Sequence, residues 1–195
     1  MKILLATSNK GKIAEIHSIL STLPFDILTP ADIGLTLEVE ETGNSYLENA
    51  LLKAISYSKA SALPTLADDT GLEVAALDGI PGIHSARFID DANATDKDRR
   101  TLLLSKLQDH ERPWQARFVC AAVILFPGET AHHAVEECPG EIIPHERGEH
   151  GFGYDAIFQV DGTHKTMAEL TMEEKNVISH RAKAVKALFP FLIRR

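Results

Sequence analysis

Two adjacent carboxylates stand in the run Ala67-Asp68-Asp69-Thr70-Gly71, directly behind the short apolar stretch Leu63-Pro64-Thr65-Leu66. A strand ending here presents them at its carboxyl end, the edge where open α/β sheets bind ligands, and a carboxylate there suits a Mg²⁺ ligand or a general base. Successive side chains of a strand point to opposite faces, so both acids address one ligand only if the chain turns between them. Gly71 permits such a turn. A solvated Asp-Asp turn accounts for the same residues, because Asp and Gly favour turns for local reasons. Other segments must decide.

The loop Thr7-Ser8-Asn9-Lys10-Gly11-Lys12 lies between an apolar run and a helical pattern. A strand, then Ser/Thr/Asn, then a helix start offers free backbone N–H groups and a positive dipole end, to which Lys10 and Lys12 add point charges, so a polyphosphate fits. The motif is not Walker A: the first glycine and the Ser/Thr after the lysine are missing. An ordinary capped helix uses the same residues. Further on, Lys53 shares a helix side with Asn49 and Tyr46, while Leu47, Leu51 and Ala54 form the expected apolar stripe. Glu38, Glu40 and Glu41 precede Thr42-Gly43; they complement a helix dipole, or supply a second carboxylate to a metal shared with Asp69.

In Gly151-Phe152-Gly153-Tyr154-Asp155, aromatics alternate with glycines beside an acid, a loop able to stack on a nucleobase or simply to turn its rings into the core. Lys175, His180 and Arg181 bring three potential cations into seven residues. On an unbroken helix Lys175 and Arg181 face different directions, so their joint use requires a break near Ser179, itself a competent N-cap.

The elements that must hold these groups are legible in outline. Residues 2 to 6 form a buried strand, after which Ile13, Ile16, Leu20 and Leu23 recur at helical spacing. Residues 26 to 39 suggest a short strand and irregular chain. Asn44 and Ser45 with Glu48 open a helix running to about Ala62 and stopped by Pro64, and residues 65 to 68 are then the strand that delivers the two aspartates. Gly79, Pro81 and Gly82 mark a loop, followed by a polar segment and an amphipathic helix with Leu102, Leu103 and Leu107. Gln115 to Phe126 reads as a long strand, Pro127-Gly128-Glu129 as a hairpin turn and residues 130 to 137 as its antiparallel partner. A glycine-rich loop from Gly148 leads into a strand over residues 156 to 160, and Thr171 with Glu174 opens helical sequence to about Phe191. The sum is an α/β fold with a mixed sheet.

Composition narrows the class. The chain has 195 residues, 44% of them hydrophobic, and a net charge of −8 without a Lys/Arg block, so it carries no basic surface for a nucleic acid backbone. Four apolar residues before Thr7 fall short of a signal peptide, no stretch approaches membrane-spanning length, and Cys120 and Cys138 form no C-x-x-C pair, which indicates reduced thiols and a cytoplasmic protein. Neighbouring His132 and His133 point apart in a strand and make no zinc pair.

Taken together, six motifs in order resemble the noncanonical purine nucleoside triphosphate pyrophosphatase family, also called inosine triphosphate or XTP/dITP pyrophosphatases. They are residues 7–12, Glu41-Thr42-Gly43 with Glu48-Asn49-Ala50, Ala67 to Leu72, Pro81 to Arg87, Gly151 to Asp155, and Glu174-Lys175 with Ser179-His180-Arg181, and the match spans the whole chain. Ala156 stands where proline often follows the Tyr-Asp pair, His84 where tyrosine is common and His150 where glycine is common; none removes a residue to which the family assigns chemistry.

The resemblance implies one α/β domain over residues 1–195, an elongated mixed sheet flanked by helices, and two lobes of a homodimer subunit with the active site in the cleft between them. It implies Mg²⁺-dependent hydrolysis of ITP, dITP or XTP to the monophosphate and pyrophosphate. Thr7, Ser8, Asn9, Lys10, Gly11, Lys12 and Lys53 would hold the triphosphate, Phe152, Asp155, His180 and Arg181 would meet the base, and Thr70, Gly153, Tyr154 and Lys175 would also bind substrate. Glu41 and Asp69 would hold the metal, with Asp68 the least determined ligand, and Asp69 would orient or deprotonate the attacking water. Hypoxanthine and xanthine carry a carbonyl at purine position 6 where adenine carries an amino group, so donors such as His180 and Arg181 would select them. Two other readings are a nucleotide-binding module without turnover, which needs no Asp69, and a Maf-type pyrophosphatase, whose Ser-Pro-Arg-Arg-like opening loop residues 8–12 do not resemble.

Overall fold

The computed structural model describes residues 1–193; the expected end of the domain at residue 195 lies outside them. β1 (Lys2–Leu5) has Ile3, Leu4 and Leu5 fully buried, as a strand covered on both faces requires. α1 (Lys10–Leu20) follows, with Asn9 as N-cap accepting from the Lys12 N–H at 3.0 Å. β2 (Asp26–Leu28) pairs parallel to β1. α2 (Tyr46–Ser61) starts at Ser45, whose side chain accepts from the Glu48 N–H.

β3 (Thr65–Val74) corrects an expectation. The chain does not turn at Gly71; it continues to Val74, parallel to β1 at its start and antiparallel along its length to residues Trp114–Leu125, the strand β5. Gly71 is needed for closeness instead: a Cβ there would strike the Gly82 carbonyl and the Tyr46 ring. The two-residue β4 (Pro81–Gly82) pairs with β3, and α3 (Asp96–Leu107) precedes β5 (Trp114–Leu125). β6 (His132–Ile142) starts two residues later and runs five residues beyond the expected stretch, because its far half pairs β7 (Phe158–Val160). Residues 156 and 157, expected as the start of a strand, belong instead to a 3₁₀ turn over Asp155–Ile157. α4 (Met172–Ile178) stops at Ser179, extended at φ −70°, ψ 149°, whose side chain accepts from Ala182 N–H and so caps α5 (His180–Ala187). The required break is present. α6 (Phe189–Ile193) completes the described residues.

Within them seven strands form one mixed sheet, β2-β1-β3-β5-β6-β7 with β4 beside β3, flanked by helices. The period-2 alternation sorts side chains to two faces. Ile3, Leu5, Leu66, Cys120, Ala122 and Ile124 pack with α1 and α5; Leu4, Ala6, Ala67, Val119, Ala121 and Val123 pack with α2. A third cluster fills the other end, where Leu72, Val74 and Phe118 meet Leu103 and Leu107 of α3. The buried face of α2 is Tyr46, Asn49, Ala50, Ala54 and Tyr57 rather than a stripe centred on Leu47 and Leu51, which are half-buried. The two alanines let α2 lie close to the sheet. Both cysteines are buried and free, and no helix among the described residues is long and apolar enough to cross a membrane.

Candidate active site

Alternation along β3 decides what each aspartate meets. Leu66 faces α1 and α5, so Asp68 does too; Ala67 faces α2, and so does Asp69. Asp69 accepts from Lys53 Nζ at 3.3 Å and from Asn49 Nδ2 at 3.3 Å, both from α2. Asn49 is itself fixed, its Oδ1 accepting from the Gly43 N–H at 2.8 Å. Lys53 Nζ also stands 2.5 Å from Glu41 Oε1, and Arg87 Nη1 donates to Glu41 Oε2 over 3.2 Å. An ammonium thus sits between two carboxylates, where a cation belongs.

Electrostatics separate these acids. Burial pushes the Asp69 carboxyl above its usual range, against the pull of Lys53 and Lys12. For Glu41 burial also acts upward, but Lys53 beside it prevails and holds the carboxyl below its ordinary value. Lys53 is raised, since Asp69, Asp68 and Glu41 outweigh its burial. A carboxyl whose pKa is raised therefore lies next to an ion pair whose partners hold each other in the charged form.

On the opposite face Asp68 is engaged structurally. Its Oδ2 receives Lys12 Nζ at 3.1 Å, Arg181 Nε at 3.1 Å and the Thr70 hydroxyl at 2.9 Å. Burial acts against ionisation, yet Lys12 and Arg181 hold this carboxyl far below the usual range. Arg181 further donates from Nη2 to Thr70 Oγ1 at 3.1 Å and from Nη1 to Glu15 of α1. Glu15 reaches Lys175 as well, at 2.5 Å, and Lys175 reaches Asp155 Oδ2 at 2.6 Å. Six buried or half-buried charges thus form one chain from the phosphate loop to the 151–155 loop.

Two cavities meet across this chain. One is lined by Thr7, Ser8, Glu41, Lys53, Asp69 and Arg87, the other by Phe118, Phe152, Tyr154, Asp155, His180 and Arg181; Asn9, Lys12 and Thr70 line both. In the second, His180 is buried, stacks on Phe118 with centroids 4.7 Å apart at 12°, and has Nδ1 without a hydrogen-bond partner. Burial, then Arg181 and Lys175, keep its pKa well below the ordinary value, so the ring is neutral. The Phe152 ring lies against Gly11, where any Cβ would overlap it, with Lys175 Nζ 5.5 Å and Arg181 Cζ 5.6 Å from its centroid.

The expected site residues are therefore brought together, with distinctions. Lys10 projects into solvent, and Lys175 stands behind Phe152 in contact with two acids. Asp68 engages Lys12, Arg181 and Thr70 through Oδ2 while its Oδ1 is buried without a hydrogen-bond partner, and Glu41 and Asp69 share Lys53 on the other face of β3. Two carboxylates balanced by one ammonium suit a hard cation that keeps several waters; no cluster of three or more His, Cys, Asp or Glu able to hold a metal occurs among the described residues. Glu15, Arg87, Asp96 and Phe118 also line or brace the site. Glu15 looks in sequence like any acidic helix position, and its partners lie up to 166 residues away; Arg87 was within reach, as the last residue of the Pro81 to Arg87 motif.

A family model described as the Ham1 family matches residues 3–191. A Thermus thermophilus protein named dITP/XTP pyrophosphatase is 47% identical over 191 residues, covering 96% of this chain and 90% of that protein. A Bacillus subtilis protein of the same name is 43% identical over 190 residues, covering 97% and 96%. The solved structure of the Staphylococcus aureus Ham1 protein superposes with a TM-score of 0.85 at 38% identity and covers 98% of both chains.

Proposed function

The chain belongs to the Ham1 family, and on that premise we propose that it is an enzyme hydrolysing noncanonical purine nucleoside triphosphates (ITP, dITP and XTP) to the monophosphate and pyrophosphate, with Mg²⁺ as cofactor. The observation that carries the reading is the Glu41–Lys53–Asp69 cluster in the first cavity, joined through Lys12 and Thr70 to an aromatic, donor-bearing second cavity.

The first cavity takes the triphosphate. Free N–H groups at the start of α1, Lys12 and Lys53 meet its oxygens, and Arg87 adds a second donor beside Glu41. Glu41 and Asp69 would hold Mg²⁺, which when bound supplies charge neutralisation and lowers the pKa of a coordinated water. Asp69 orients the attacking water and accepts its proton: its pKa is raised by burial toward the operating range of a general base, and Asn49 fixes its carboxylate plane. Attack at the α-phosphorus follows if the base and metal stand beside that phosphate.

The second cavity takes the purine. Phe152 offers a ring face. The first N–H groups of α5, at His180 and Arg181, have no intrahelical acceptor and suit the carbonyl at purine position 6. The neutral His180 ring adds a donor or acceptor without charge. An amino group at position 6 would oppose such donors, so adenine is rejected. The two cavities would form the halves of a cleft between two lobes in a single domain; a homodimer in the cytoplasm, acting on free nucleotides and not on nucleic acid, completes the proposal.

The test is turnover of ITP, dITP, XTP, ATP and GTP with and without Mg²⁺, with pyrophosphate and orthophosphate assayed separately. Pyrophosphate released from ITP and XTP in preference to ATP and GTP, only with Mg²⁺, is the expected result. Equal turnover of all five, or orthophosphate alone, overturns it.

A further inference from the structure

The loop that carries Phe152 is gripped by α3, whose Asp96 and Arg99 line the second cavity. Gly153 has φ +61°, in the left-handed region, and α3 takes both polar groups of this residue. Its N–H donates to Asp96 Oδ2 at 2.7 Å, and its carbonyl accepts from Arg100 Nη1 at 2.7 Å. One residue earlier, the Phe152 N–H ends on Asp155 Oδ2 at 3.0 Å. Two consecutive amides are thus held by carboxylates, the stronger kind of hydrogen bond.

The grip comes from a fixed post. Leu103 and Leu107 of α3 are fully buried, and its N-terminus carries a Thr95/Asp98 capping box. Arg100 is clamped by a two-pronged pair to Glu146 at 2.9 and 3.0 Å, and Arg99 orients Asp96 by donating to its other oxygen at 2.7 Å. Gly151 also has positive φ, at +75°, so the aromatic is flanked by the two residues with most backbone freedom. A ring on such a tether would have to be ordered at every binding event unless something ordered it beforehand.

We infer that Asp96 and Arg100 are positioning residues of the nucleotide site: by fixing the N–H and the carbonyl of Gly153 they set the Phe152 ring over Gly11, Lys175 and Arg181 before the base arrives. The inference rests on the reading that Phe152 stacks on a purine. It assigns α3, which supplies no group to the phosphates, a part in nucleotide affinity.

Two measurements separate this inference from that reading. Hydrogen exchange in the ligand-free protein reads the grip itself, and steady-state kinetics with ITP reads its use. Asp96→Ala is expected to speed exchange of the Gly153 amide and to raise KM for ITP, each about tenfold, the loss of one hydrogen bond to a charged group. kcat at saturation should stay within about twofold, since no group acting on the phosphates changes. Asp96→Asn keeps an oxygen toward the Gly153 N–H and should return KM to within about threefold of the wild type. Arg100→Met keeps the stem and should move KM the same way, and it carries the test if Asp96→Ala does not fold. Unchanged exchange and KM in both variants, or an Asn variant as impaired as the Ala one, overturns the inference. A wild-type protein that turns over no purine triphosphate overturns the function instead, while the exchange arm still decides whether α3 orders the loop.

Discussion

Asp68 and Asp69 are joined by one peptide bond and face opposite sides of β3, Asp68 accepting from Arg181 Nε at 3.1 Å and Asp69 from Lys53 Nζ at 3.3 Å. A strand's alternation thereby gives a doublet of like residues two different sets of partners, Arg181 and Lys12 for one and Lys53 and Asn49 for the other.

Asp69→Asn keeps the shape and the contact to Asn49 but removes the proton acceptor. Turnover of ITP should fall by about 10² to 10⁴, with the thermal midpoint held or raised, since burial opposes the charged form at this position. Pyrophosphate release and a melting curve check both parts. Activity within a few-fold of wild type would favour a binding module.

Lys53→Met tests the charge coupling. A general base works deprotonated, so kcat/KM should fall as pH drops through the Asp69 pKa, which lies above the ordinary 3.8. Lys53 is the largest influence pulling that pKa down. Its removal should therefore move the acid limb of the pH–rate profile to higher pH. A limb that stays in place would show that Asp69 is not the titrating base.

Glu15→Gln strips a carboxylate that serves both Lys175 and Arg181, leaving buried cations short of a partner. A loss of about 3–5 kcal/mol is expected at pH 7. Although burial opposes its charge, Arg181 and Lys175 hold Glu15 below its ordinary 4.5, so its contribution is present above that pH and is lost as the pH falls through the folded-state value. Urea unfolding of both proteins along an acid series should show the gap closing on acidification.

Gly11→Ala places a methyl group where the Phe152 ring lies. The overlap should cost about 1–3 kcal/mol as overpacking, or displace the ring. The double variant Gly11→Ala/Phe152→Ala should then melt no lower than Phe152→Ala alone. Strict additivity in this cycle would mean that the two residues do not touch.

Local signals carried much of this arrangement. The Ser45 and Thr171 caps, the β5–β6 hairpin and the Ser179 break follow from residue types a few positions apart, and all stand in the structure. Gly71 misled because a glycine can serve a turn or a close approach, and only the Tyr46 ring and Gly82 carbonyl packed on it tell which. The far half of β6 was hidden because Cys138, Pro139 and Gly140 do not alternate like a strand, yet β7 pairs beside them. Lys175 reads as a free cation until Glu15 and Asp155, distant in sequence, are set against it. Asp96 and Arg100 look like the ordinary polar face of an amphipathic helix. Their partner, Gly153, is more than fifty residues away.

The ion pairs of the two cavities have one more consequence. Lys12, Lys175 and Arg181 face Glu15, Asp68 and Asp155, three cations against three anions, and Lys53 with Arg87 faces Glu41 with Asp69. The site is thus close to electroneutral inside a chain of net charge −8. It has no surplus positive potential with which to draw in polyanions from a distance, so added salt should not slow their encounter as it does at a positively charged site, and the countercharge for a polyphosphate has to travel in with it.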